Sequence, residues 1–171
     1  MFKFIAIILL FASCTIIGFY NAYRLSMRRH LLQQYRHLVQ RMETEMGYFK
    51  EPVPQLLAKL QSGTDDPADI MLRQCLIQIE KGTENIARIW TDSVKQAYEN
   101  EPLKAEDLRL FERCGDFIGQ SGFDSQKGHF DLLKNQLDVQ IRDADNEVRI
   151  KGSLYSKAGL SAGAVLAIAL L

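Results

Sequence analysis

The sequence is poor in the residues from which catalytic and metal sites are usually built. Its 171 residues include only three histidines. His30 and His37 would share one helix face, but the arginines around them would repel a cation, and His129 stands alone. No G-x-S-x-G or H-E-x-x-H motif is present, and residues Lys81–Thr83 resemble a phosphate loop only in scrambled order. We therefore expect a non-enzymatic protein with no metal ion and no cofactor.

Cysteine is also scarce. Cys14, Cys75 and Cys114 are odd in number and scattered along the chain, and no two of them have C-x-x-C spacing. Such a set is not a disulfide framework. We expect reduced thiols in a cytosolic domain.

Acidic residues are absent from both ends of the chain. All 21 of them fall between Glu43 and Glu147, where 12 basic residues leave a net charge of −9, and the other nine basic residues lie outside that segment. The acidic segment disfavours a nucleic-acid partner, which would require a basic face. Basic residues beside a membrane attract anionic headgroups. The sequence thus predicts a lipid-facing basic collar of Arg24, Arg28, Arg29 and Lys157.

The first 23 residues predict a transmembrane helix. Phe4–Tyr23 is a run of 20 residues without a charged side chain, long enough for the roughly 30 Å hydrocarbon core of a bilayer. A cleaved signal peptide or a lipoprotein signal is the alternative. The apolar run continues past Cys14, and Phe11 is unsuited to the first position of a lipoprotein signal.

A second, shorter apolar segment, residues 154–171, predicts a transmembrane helix at the other end. Gly159 and Gly163 form a G-x-x-x-G motif there, and Gly18 lies among small residues spaced by four in the first segment. Small residues at this spacing let two membrane helices approach closely. We expect the two helices to pack through these three glycines.

The basic residues predict the orientation of both membrane helices. Five arginines follow the first segment before any acid appears, Lys151 and Lys157 precede the uncharged run Ala158–Leu171 of the second, and no charge follows it. By the positive-inside rule, the intervening domain, residues 24–153, lies in the cytoplasm and both termini lie outside. The expected protein is a multi-pass membrane protein that contacts the lipid bilayer at both ends.

Apolar spacing between these segments predicts an all-α, antiparallel helical bundle of about six helices. Apolar residues recur every three or four positions and no convincing strand pattern appears. Asp66 followed by Pro67 predicts the start of a helix, and Gly82 followed by Thr83 predicts the end of one helix and the start of the next. Because the first and last helices of the domain leave the same membrane face, they should lie antiparallel.

The predicted helices carry apolar stripes on their core-facing sides. The first stripe comprises Leu31, Tyr35, Leu38, Met42, Met46 and Phe49, and the last comprises Phe130, Leu133, Leu137, Ile141, Ala144 and Val148. The fifth helix is expected to bury Leu108, Phe111, Cys114 and Ile118. In the last helix the apolar residues recur at steps of three and four, which is typical of a heptad seam.

Seven residues lie in short motifs spread in order along the whole chain: Glu45, Tyr48, Pro52, Gly119, Asp124, Gln126 and Lys151. The motifs are an acidic-x-x-Tyr segment before a proline, a glycine followed by an Asp-x-Gln stretch, and a lysine before an apolar end. In this order they resemble the stage III sporulation protein AB family of endospore-forming Firmicutes. Ile118 stands where leucine is usual, and an insertion surrounds Gly122–Phe123.

The resemblance implies a function that composition does not show. Members of this family belong to the channel machinery that links mother cell and forespore, and their domain is similar to the platform component of type II secretion systems. The implied role is a membrane scaffold in the mother-cell membrane around the forespore. The implied partners are a secretion-type ATPase of the same operon and other sporulation channel proteins, in an assembly with more than one copy.

A helical membrane signalling adaptor is the alternative from another functional class. Such proteins usually carry a sizeable extracellular domain, whereas both outer tails predicted here are very short. A membrane-embedded enzyme or transporter would require charged residues at the centre of the spans, which these segments lack.

Overall fold

A computed structural model describes residues 2–49, 52–82, 85–118, 123–155, 157–158 and 161, and it contains no β-strand within them. The predicted all-α class is therefore confirmed for this part of the chain. Its α-helices are α1 (Phe2–Phe49), α2 (Val53–Leu60), α3 (Pro67–Glu80), α4 (Ile86–Ala97), α5 (Ala105–Phe117) and α6 (Phe123–Glu147). A π-helical turn, Val148–Gly152, follows α6 directly.

The chain divides into two compact units. The terminal unit comprises Met1–His30 and Arg142–Leu171, and the central unit comprises Leu31–Ile141. Within the described residues, none of the helices is both long and apolar enough to cross a membrane. The division into membrane segments 1–23 and 154–171 around a domain 24–153 stays a prediction.

Local side-chain caps fix where α3 and α4 begin. Asp66 accepts the Asp69 backbone N–H (2.9 Å) and Pro67 occupies the first turn of α3, as the sequence predicts. The sequence predicts that α4 starts at Thr83, but α4 begins at Ile86, and Thr83 lies outside the described residues. Asn85 supplies that cap, because its side chain accepts the Arg88 backbone N–H (3.2 Å).

Gly82 ends α3, as the sequence predicts. Its φ is +79°, a left-handed conformation that glycine adopts without the steric penalty of a side chain. Its N–H donates to the Ile79 carbonyl (3.0 Å), which satisfies one of the acceptors that the helix end leaves open.

The core of the central unit is aromatic at its centre. The ring of Phe111 stacks on Tyr35 with centroids 3.7 Å apart, and Tyr98 meets Phe111 edge to face at 5.1 Å. The Phe111 carbonyl accepts two hydrogen bonds, from the Tyr35 hydroxyl (2.7 Å) and from the Trp90 indole N–H (2.9 Å). Residues of α1, α4 and α5 therefore meet at a single backbone carbonyl.

The predicted apolar stripes are buried in the main. On α1, Leu31, Tyr35, Leu38 and Met42 are buried, and on α6 the same is true of Phe130, Leu133, Leu137 and Ala144. On α5 the prediction needs one correction, because Leu110 is buried whereas Leu108 is only half-buried. The side chain of Phe49 lies outside the described part of the structure.

Two ion pairs in the central unit show how α1 and α6 run. Arg36 pairs with Asp138 (3.1 Å) and Glu43 pairs with Lys134. Advancing along α1 thus means moving backward along α6, so the two helices are antiparallel within this unit, as predicted from the sequence. Glu43 and Lys134 are largely shielded from solvent, with side chains 12% and 14% exposed.

Unfolding should become easier at alkaline pH, because burial raises the pKa of four core groups: Cys75 (from 9.0 to about 11), Cys114, Tyr35 and Tyr98. Above the unfolded-state values of 9.0 and 10.0, the unfolded chain loses these protons while the folded chain retains them. Their contribution to stability is complete below pH 9.0 and is lost as pH rises above it.

The measurement is the free energy of unfolding by urea, followed by far-UV circular dichroism from about pH 8 to about pH 10.5. The free energy of unfolding of a Cys75→Ala variant should decline less steeply with rising pH than that of the parent. A free energy of unfolding that stays constant over this range would contradict the prediction.

Candidate interaction surfaces

The central unit is acidic and the terminal unit is basic. The central unit contains 18 acidic and 13 basic residues, a net charge of −5, and the terminal unit contains three acidic and eight basic residues, a net charge of +5. Charge separation of this kind governs which partners approach each part of a protein. It directs attention to the surfaces on which the charges of the central unit collect.

Two loops of the central unit lie together at one end of it. The Tyr98 phenol lies at the start of the α4–α5 loop. It is close enough to feel the negative charges of two carboxylates, Asp66 in the α2–α3 loop and Glu101 in its own loop. Burial and these two negative charges raise the pKa of Tyr98. The end carries three further exposed carboxylates in its two loops and at the start of α5. We call it the acidic end, and it comprises Asp65, Asp66, Glu99, Glu101 and Glu106.

Two buried carboxylates hold these loops in place. Asp69 is 3% exposed and accepts the backbone N–H groups of Ser62 (2.7 Å) and Thr64 (2.9 Å). Asp107 is fully buried and accepts the Lys104 backbone N–H (2.9 Å) in a capping box at the start of α5. The α2–α3 loop and the start of α5 are therefore ordered by backbone hydrogen bonds to carboxylates.

The sequence analysis missed both of these residues. The available signal was the spacing, since each aspartate lies three positions after the residue that precedes its helix, Asp66 or Lys104. A carboxylate at this position can accept a backbone N–H at the start of a helix. The exposed acids of the two loops thus project from a rigid backbone, which suits a docking surface.

A second surface lies where α5 and α6 pack side by side. A groove of about 350 Å³ runs between them, and its lining residues are Arg113, Asp116, Phe117, His129, Leu132, Leu133 and Gln136. Arg113 donates to the side-chain oxygen of Gln136 (3.2 Å), and the ring of His129 stacks on Phe117 with centroids 5.6 Å apart. His129 is exposed, and its ring packs against this one aromatic side chain.

The predicted basic collar is wrong for one residue. Arg28 is 2% exposed, and its guanidinium pairs with Glu147 (3.0 Å), so it does not face lipid headgroups. An arginine that is buried requires such a counter-charge, because desolvation of an unpaired cation is costly. Arg29 is half-buried and pairs with Asp145 (2.9 Å), whereas Arg24 and Lys157 are exposed.

The glycine contact predicted between the two membrane segments stays a prediction. Gly18 is buried within α1. Gly159 and Gly163 lie outside the described residues, and nothing here tests their packing.

The positions that match the family motifs are dispersed over both units. Glu45 pairs with Lys59 of α2, and Pro52 immediately precedes α2. Gln126 is buried in α6, and Lys151 pairs with Glu147 (2.9 Å) in the terminal unit. Tyr48 and Asp124 lie in α1 and α6, where the structure does not describe their side chains, and Gly119 lies outside the described residues. Among the positions whose side chains the structure describes, Gln126 is thus buried, whereas Glu45 and Lys151 form ion pairs.

Nothing in the described residues resembles a metal centre. No group of three or more histidine, cysteine, aspartate or glutamate side chains among them could hold a metal ion. Cys75 and Cys114 are buried free thiols. Burial raises the pKa of both, so at neutral pH neither has the thiolate character of a reactive cysteine.

Comparison with known proteins decides which family this architecture represents. A family model described as stage III sporulation protein AB matches residues 3–171. The chain belongs to the stage III sporulation protein AB family. This membership confirms the resemblance drawn from the sequence motifs and assigns the chain to sporulation.

A curated relative and a solved structure show how far the similarity extends. Stage III sporulation protein AB of Bacillus subtilis (strain 168) is 22% identical over 171 residues, covering 100% of both chains. A solved structure of stage III sporulation protein AB covers 71% of this chain and 96% of its own, with a TM-score of 0.65 and 21% identity. At this identity the structural match shows a shared fold.

Proposed function

We propose that this chain is a non-enzymatic membrane scaffold of the sporulation channel complex that links mother cell and forespore. In this role its central unit docks a secretion-type ATPase of the same operon and helps to assemble other sporulation channel proteins. Its two ends hold it in the mother-cell membrane around the forespore, with the central unit in the cytoplasm. Family membership supports the sporulation role, and the separation of charge between the two units supports the finer assignment.

The charge distribution is the observation that carries the proposal. The central unit has a net charge of −5, and the acidic end presents carboxylates such as Asp65, whose side chain is 97% exposed, from loops anchored by buried aspartates. A rigid acidic surface attracts a basic protein surface and speeds its association. The acidic end is therefore the proposed ATPase-docking surface.

The basic terminal unit supports attachment to the membrane. Its net charge is +5, and it contains the run Phe4–Tyr23, in which no residue is charged. Exposed Arg24 and Lys157 can interact with anionic headgroups even though Arg28 is paired internally. A scaffold needs firm anchorage and a rigid docking surface rather than reactive groups, which agrees with the inert character of the buried cysteines.

Charge reversal at the acidic end should weaken recovery of the ATPase. Glu99→Lys combined with Glu101→Lys should lower the amount of ATPase recovered with the tagged full-length protein at least about tenfold, because attraction becomes repulsion at the docking surface. The experiment is a pull-down in mild detergent from cells undergoing engulfment, with the ATPase quantified by immunoblot.

The matched control reverses two acids elsewhere on the central unit. Glu80→Lys combined with Asp92→Lys makes the same change in net charge, and Glu80 lies at the far end of α3, about 20 Å along the helix from Asp66. ATPase recovery within about twofold of the parent is expected for this control. Equal recovery from both double variants would refute docking at the acidic end, whether recovery is high or low.

A further inference from the structure

The exposed face of α5 carries a charge pattern that is complementary to itself. Arg109, Glu112, Arg113 and Asp116 occupy spacings that place them on one side of the helix, and all are exposed except Glu112, which is half-buried. Their charges alternate in sign along the helix. When a second copy of the helix is reversed and placed against the first, each charge therefore faces one of opposite sign. Two copies of this helix packed antiparallel would place Arg109 opposite Asp116, and Glu112 opposite Arg113.

The neighbouring face of α6 has the same kind of symmetry with apolar residues. Leu132 and Val139 are 55% and 44% exposed and lie two helical turns apart on one side, with Asn135 and Gln136 between them. In an antiparallel pair of α6 helices, Leu132 would meet Val139 at each end, and the amides would meet at the centre. Large apolar side chains exposed in register mark a contact surface more often than isolated ones do.

The two patterns share one centre. Arg113 of α5 donates to Gln136 of α6, and Phe117 stacks on His129, so the helices run antiparallel with the middles of both patterns at the same level. Asp116 and Leu132 both line the groove on one side of that level. A single twofold axis crossing both helices there would satisfy the charge pattern and the apolar pattern together.

We propose that this surface, Arg109–Asp116 of α5 with Leu132–Val139 of α6, binds a second copy of the chain through an isologous twofold interface. In a closed twofold dimer the same patch serves both subunits, so a self-complementary pattern is the required property. A surface that binds a different protein must be complementary to that protein. Such a surface has no reason to be complementary to itself. A Lys95–Glu112 pair at 3.9 Å competes with this arrangement, and an ion pair that is partly exposed to solvent stabilises little.

Charge reversal followed by a charge swap tests the pairing directly. Arg109→Glu should raise the dissociation constant of the dimer at least about tenfold, because two attractive contacts per dimer become repulsive. Arg109→Glu combined with Asp116→Arg restores opposite charges across the axis and should return the constant to within about threefold of the parent. The measurement is analytical ultracentrifugation of the full-length protein in mild detergent, with far-UV circular dichroism to confirm that each variant is folded.

Cross-linking tests the position of the axis. Asn135→Cys places a thiol beside the axis, so the full-length variant should form a disulfide-linked dimer readily under mild oxidation. Ala58→Cys, also exposed but on α2, is the control and should cross-link at least about tenfold more slowly. A parent protein that stays monomeric at about 100 µM, a swap variant as weak as Arg109→Glu, or equal cross-linking at both sites would each overturn the proposal.

This interface does not depend on the ATPase-docking role, since none of its residues belongs to the acidic end. Loss of dimer formation with ATPase recovery intact would separate the two functions, and the reverse result would separate them equally well. A dimer that presents two acidic ends would bring two docking surfaces into one assembly.

Discussion

Phe111→Ala should lower the free energy of unfolding of the central unit by about 3–5 kcal/mol, which makes it the most damaging single truncation that we expect. The ring is fully buried, stacked on Tyr35 and met edge-on by Tyr98. Its removal leaves a cavity at the point where α1, α4 and α5 meet. The loss should appear in urea denaturation of the full-length protein in mild detergent.

The control for this truncation removes an exposed side chain of comparable hydrophobicity. Ile77 of α3 is 45% exposed, and Ile77→Ala should change the free energy of unfolding by less than about 1 kcal/mol. Because the Phe111 carbonyl belongs to the backbone, its hydrogen bonds from Tyr35 and Trp90 are not removed by the substitution itself. Similar losses for the two variants would show that the aromatic cluster does not hold the core together.

Gly115→Ala should be the next most destabilising change, at about 1–3 kcal/mol, even though it adds a single methyl group. A Cβ atom at this position would lie 2.8 Å from the Trp90 Cβ and 2.9 Å from its Cγ. The Trp90 Cβ is bonded to the backbone of α4 and cannot rotate away, so the two helices would have to separate. Glycine here therefore permits the close packing of α4 on α5.

Gly128 provides a matched control with the opposite expected sign. It lies within α6 in the same unit, and a Cβ added there would meet no atom within 4 Å. Gly128→Ala should raise the free energy of unfolding by about 0.5–1 kcal/mol, because alanine has the higher helix propensity. If Gly115→Ala were also neutral or stabilising, the result would contradict the close packing of α4 on α5.

Local sequence signals were sufficient for most of the fold. The α3 start at Asp66–Pro67, the end of α3 at Gly82 and the buried stripe of α1 depend on residues close together in the chain. Capping chemistry and helical periodicity act over the same short distances, so they can be read without knowing the tertiary structure. Membership of the sporulation family was likewise indicated by motifs in order along the chain.

Features set by contacts between distant residues could not be predicted in this way. Arg28 was expected to face lipid, but its burial depends on Glu147, which lies 119 positions away in the sequence. The need for glycine at position 115 depends on Trp90 of a different helix. The alignment of the two self-complementary patterns depends on how α5 lies along α6, which the hydrogen bond between Arg113 and Gln136 defines.

The aromatic cluster also makes the protein convenient to observe. The chain contains one tryptophan, Trp90, which is 1% exposed and hydrogen-bonded through its indole nitrogen to the Phe111 carbonyl. Intrinsic fluorescence excited at the red edge of the absorption band therefore originates from a single fluorophore inside the central unit. Its emission maximum should shift to longer wavelength only when that unit opens to water, so the folding of the central unit can be followed in the purified protein without a label.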